Sequence, residues 1–138
     1  MIYSVENLTQ TLDCDVLLAL AQQEKGNLDF QRLSESRQTN RYGITSVELE
    51  LSIQETIADI AAEESAIASL PDGNRKDERI FNKKQLEFKL VSLQHRKKSY
   101  GVIALLEQEM ELGRVLKEIE EVDAFIAAVS ARREELAA

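Results

Sequence analysis

A single cysteine, Cys14, leaves the chain without a partner for an internal disulfide, which fits a reducing compartment. Near the start of a helix it reads as a small buried hydrophobe rather than a reactive thiol. A single histidine, His95, excludes the two Glu-x-x-His pairs of a ferritin-like metal bundle, and Ser92 stands where the glutamate would be. His95 instead follows Phe81 and Phe88 at steps of seven, so it finishes an apolar face or caps a helix end. One proline, five glycines, no tryptophan and 5% aromatic residues, against abundant Ala, Leu, Glu, Gln and Lys, point to helix. Strands need more β-branched and aromatic runs. No glycine-rich loop follows a strand, which excludes the usual phosphate cradles. Nucleophilic catalysis needs a base beside Cys14 or a serine, and the one histidine lies on a different helix. No catalytic residue, metal, cofactor or small-molecule substrate is therefore expected, and the chain reads as a non-enzyme.

No apolar run approaches the roughly 20 residues of a membrane span. The opening MIYSVENLTQ has neither a basic nor an apolar leader segment, so no secretory signal and a cytoplasmic location are expected. A net charge of −8 argues against general adhesion to nucleic acid or anionic membrane. The charge is uneven: residues 1–70 carry −8, residues 71–101 carry +5 and residues 102–138 carry −5. A basic helix flanked by acidic ones fits charge pairing in an antiparallel bundle, where exposed pairs contribute about 0.2–1 kcal/mol each. The same basic segment offers a weaker nucleic-acid reading, since Arg75, Lys76, Arg79, Lys83, Lys84, Lys89, Arg96, Lys97 and Lys98 could meet phosphates.

At 138 residues and 43% hydrophobic content the chain is expected to form one globular domain, residues 1–138. Residues 1–10 admit a short turn starting at Ser4. Thr11, Asp13 and Asp15 mark the start of a first helix, with a bend, break or solvent-facing stretch expected at Gln22–Asn27. Tyr42-Gly43 has the look of a helix end, and Thr45 with Glu48 forms a capping-box pattern for a second helix. Pro71-Asp72-Gly73 is the strongest turn signal, and Asn74 can cap a third helix that ends in His95-Arg96-Lys97-Lys98. Tyr100-Gly101 repeats the earlier ending but is followed by Val-Ile-Ala-Leu without a cap; a turn is expected there in preference to one long helix.

The two Tyr-Gly endings belong to a longer likeness. Leu28–Ile44 and Leu86–Val102 superpose at an offset of 58 positions, with five of 17 residues identical. A duplicated helical hairpin accounts for this, so the expected fold is an all-α antiparallel bundle of about four helices with coiled-coil-like packing. Its parts are hairpin one at 11–70, a turn at 71–73 and hairpin two at 74–137. Expected core positions are Leu20, Phe30, Ile53, Ile60, Ile67, Phe88, Val91, Leu112, Ile119, Val122 and Ile126.

The last helix has the clearest period. Leu105, Leu112, Ile119 and Ile126 form one series of sevens, and Val115, Val122, Val129 and Leu136 form another, interrupted only by Arg133. Such a helix would be about 50 Å long, so its end is expected to project or to meet a partner. These eight residues are the candidate interaction surface, for self-association or for a groove on another protein. The functional expectation is a protein-protein interaction or scaffold module. A small acidic helical chaperone holding a protein client is the alternative.

Overall fold

The computed structural model describes residues 1–138, with 91% of them in helices and no strand. A short 3-10 turn at Val5–Asn7 precedes three α-helices: α1 (Thr11–Ser69), α2 (Asn74–Tyr100) and α3 (Val102–Ala137). The four helices expected from the sequence are thus three. Residues 11–70 do not form a hairpin, because α1 continues through Tyr42-Gly43.

The reason lies in the phase of the buried positions of α1. Cys14, Ala21, Leu28, Glu35, Tyr42, Leu49, Thr56 and Glu63 recur at steps of seven, as does Leu70 just past the helix end, and all are buried or half-buried. A second series, Leu18, Lys25, Arg32, Thr39, Ser46, Ile53, Ile60 and Ile67, lies four residues further on and is covered in the same way. This is the a/d pattern of a coiled-coil seam. It passes Gly43 and Gln22–Asn27 without a change of phase, so packing on both sides offsets the ~1 kcal/mol that a helical glycine costs. Gln22–Asn27 is simply solvent-facing, apart from the half-buried Lys25.

The chain forms two units, one of Met1–Gln38 with Glu109–Ala138 and one of Thr39–Gln108. In the first, α1 and α3 run antiparallel, as the ion pairs Lys25–Asp123 (2.7 Å) and Arg133–Asp15 show. The N-terminal segment lies against α3: Tyr3 meets the edge of Phe125 at 5.1 Å and donates its hydroxyl to Glu121. Arg132 donates to the carbonyls of Leu8 and Glu6, which tie down the 3-10 turn. Val115 and Val129 of α3 are buried, together with Cys14, Ala21 and Leu28 of α1.

In the second unit α1 and α2 run antiparallel, joined by Arg79–Glu63 (3.2 Å), Lys83–Glu64 (3.3 Å) and Lys97–Glu50 (2.9 Å). Here α1 buries Ser46, Leu49, Ile53 and Thr56, the last donating its hydroxyl to the Ser52 carbonyl at 2.7 Å. No residue of α2 is fully buried. Lysines at Lys76, Lys83 and Lys97 occupy one series of its seam, so the helix is held by half-buried leucines and by cation-carboxylate pairs.

Two glycines set the interruptions. Gly73 has φ +149°, a conformation open to glycine, and its carbonyl accepts the first helical N–H, from Asp77. Gly73, not Asn74, therefore holds the capping position of α2. Gly101 is buried, and a Cβ there would lie 2.4 Å from the Lys97 carbonyl oxygen. The interruption at Gly101 is one residue long, between Tyr100 and Val102.

Of the expected core, Ile53 is buried and Ile60, Ile67, Leu112, Ile119, Val122 and Ile126 are half-buried. Leu20, Phe30, Phe88 and Val91 are exposed instead, Phe88 by 79% and Phe30 by 77%. A bundle of four would cover a broad face of each helix. A pairwise seam covers only a narrow stripe, and these four residues lie outside it.

Candidate interaction surfaces

The eight residues expected to form an interaction surface line the seam of α3. Val115 and Val129 retain 2% and 0% exposure within the single chain. Leu105, Leu112, Ile119, Val122, Ile126 and Leu136 are half-buried. The occupant of this a/d seam is the chain's own α1. With this seam occupied from within the chain, the fully exposed apolar side chains are found elsewhere.

They stand on the opposite sides of the helices. Heptad positions facing away from a seam ordinarily carry charge and polar groups. In the second unit the outer face of α1 carries Ile44, Val47 and Leu51, and that of α2 carries Phe81, Phe88 and Val91, all exposed. In the first unit Leu12, Val16, Phe30 and Leu33 are exposed on α1. Ile44, Val47 and Leu51 follow at steps of three and four, and the pairs Leu12–Val16 and Phe30–Leu33 are four and three apart, the spacing of a helical stripe. The signal is present in the sequence: these residues fall at constant offsets from the seam series, and of them Phe30, Phe88 and Val91 were expected in the core.

The charges around the two outer faces of the second unit differ in sign. From Tyr42 to Ser69 α1 carries Glu48, Glu50, Glu55, Asp59, Glu63 and Glu64 and no Lys or Arg. Glu50, Glu63 and Glu64 are paired with α2, whereas Glu48, Glu55 and Asp59 take no part in the ion pairs. On α2, Lys76, Arg79, Lys83 and Lys97 are paired with acids, and Lys84, Lys89 and Lys98 are not. Arg96 lies over the ring of Tyr100 at 5.8 Å, and Tyr100 stacks on Tyr42 at 6.1 Å. His95 is exposed on the same outer face as Phe81 and Phe88.

Hydrogen bonds shift a few groups. Lys97, with Gln54, donates to Glu50 and holds that carboxyl below the usual carboxylate range. Donation to Glu121 keeps the proton on Tyr3 and raises its pKa. Asp123 likewise raises Lys25. No group of three His, Cys, Asp or Glu side chains converges to hold a metal ion, and Cys14 is buried. An apolar recess of about 470 Å³ in the first unit is lined by Tyr3, Leu17, Leu20, Ala21, Glu24, Glu121, Val122 and Phe125. No helix is long and apolar enough to cross a membrane. Comparison with protein-family models, curated proteins and solved structures finds no match.

Proposed function

We propose that the chain is a non-enzymatic protein-protein interaction or scaffold module whose outer helix faces are its working surface. One observation carries this reading: large apolar side chains stand exposed in stripes on helices whose seams are already filled. A cytoplasmic setting is part of the proposal and rests on the single cysteine. A chaperone that holds a protein client is one form of the same function, with the stripes covered by the client.

The test is capture from lysate by the tagged chain and by a Phe81→Ser, Phe88→Ser, Val91→Ser variant. A stoichiometric protein retained by the first and lost by the second is expected. Identical retention by both would overturn the assignment of these faces. Nucleic-acid contact is a second reading, supported by Arg75, Lys84, Lys89 and Lys98, which have no acidic partner in the chain. It requires binding to a duplex oligonucleotide at low salt that falls steeply as salt rises. Absence of binding at low salt would end it.

A further inference from the structure

We infer that the partner of the second unit is another copy of this chain, with the basic outer face of α2 docking on the acidic outer face of α1. The inference rests on the interaction-module reading and names its occupant. Each face has an apolar centre: Ile44, Val47 and Leu51 on α1, and Phe81, Phe88 and Val91 on α2. Each also carries charge that the chain leaves unpaired. Glu48 and Glu55 flank the aliphatic stripe, and Lys84 and Lys98 lie along the aromatic one. One chain therefore presents both halves of a complementary interface.

It cannot close that interface on itself. Both faces lie opposite their own seams, and the seams face each other within the pair, so the two outer faces point in opposite directions. Docking of α2 on the α1 of a second copy leaves one face free at each end. The contact is heterologous and adds further copies rather than stopping at a symmetric dimer. Each junction brings four helices together, two from each chain. Apolar burial drives the contact, and the opposed charges fix which face meets which.

Sedimentation velocity over a concentration series tests this, with two charge-reversed variants, K84E/K98E and E48K/E55K. All four positions are exposed and outside the chain's ion pairs, so both variants should keep the far-UV helical signal of the parent. The parent chain is expected to pass from one-chain mass through dimer to larger species as concentration rises. Each variant alone sets like charge against like and should lose at least tenfold in association. A one-to-one mixture restores opposite charge at both junctions and should regain it. Constant one-chain mass in the parent, a dimer that stops at two copies, or a mixture that fails to recover would each overturn self-docking. If the parent stays at one-chain mass while the Phe81, Phe88, Val91 variant still loses a captured protein, self-docking fails and the interaction-module reading stands.

Discussion

Tyr42-Gly43 and Tyr100-Gly101 close the two halves of the internal likeness, and their rings stack on one another, yet only the second pair interrupts a helix. Around Gly43 the seam keeps its steps: Thr39, Tyr42, Ser46 and Leu49 follow at intervals of three and four. Around Gly101 it does not. The α2 series of Lys83, Leu90 and Lys97 continues to the half-buried Ala104 but then reaches the exposed Glu111, whereas the α3 series runs through the half-buried Leu105, Leu112 and Ile119. One surplus residue turns a helical face by about 100°. An interruption at Gly101 absorbs that residue and lets both helices present their seams. Glycine permits a break, and seam phase decides whether one is made.

The largest effect is expected when Gly43 is given the surplus residue that Gly101 has. An alanine inserted after Gly43 turns all later seam residues of α1 away from their partners, and should cost at least about 4 kcal/mol in denaturant unfolding. A change below about 1 kcal/mol would show that phase does not govern α1. Next in size, Ile53→Ala removes a buried seam side chain and should cost roughly 2–5 kcal/mol. Phe88→Ala, on the outer face, should cost less than about 0.5 kcal/mol at a concentration where the chain is single. Equal costs in urea titrations would mean the seam and the outer face have been confused.

The glycines themselves come third. Gly101→Ala drives a Cβ against the Lys97 carbonyl and should destabilise by about 1–3 kcal/mol. Gly43→Ala meets nothing within 4 Å in a helix interior and should stabilise by about 0.5–1 kcal/mol. Opposite signs in thermal unfolding are the expected result; the same sign would remove the distinction.

The smallest effect concerns the charge pairs that hold α2. Glu50 is depressed by Lys97, so its contribution is complete above the ordinary carboxylate range and is lost as pH falls through its lower folded value. The melting temperature of the parent should fall more between pH 5 and pH 3 than that of Lys97→Met. Parallel curves would show that the pair adds nothing. Tyr3 behaves in the opposite sense: its raised pKa keeps the contact with Glu121 below the ordinary tyrosine range and loses it only as pH rises through the folded value.

The all-helical class, the turn after Ser69 and the eight-residue seam of α3 were legible because each has a strong local signal: composition, Pro71-Gly73 and an unbroken series of aliphatics. The continuity of α1 was harder to read. Its seam passes through Lys25, Arg32, Glu35 and Thr39, polar residues that hide the heptad, and the capping-box pattern at Thr45 favours a helix start that tertiary packing overrides. The step from Leu28 to Leu49, three whole heptads, carried the information with only Glu35 and Tyr42 at the positions between. The exposure of the outer faces was hidden for a related reason. Phe81, Phe88 and Val91 have the spacing of a core face, and only knowledge that α2 meets a single neighbour places them outside.

Removing the surplus residue tests directly whether seam phase sets the interruption at Gly101. A chain lacking Gly101 brings the α2 and α3 series into one phase, and the account predicts that it retains its far-UV helical signal and unfolds within about 1 kcal/mol of the parent. Loss of helix, or a destabilisation comparable to that of the insertion after Gly43, would contradict it.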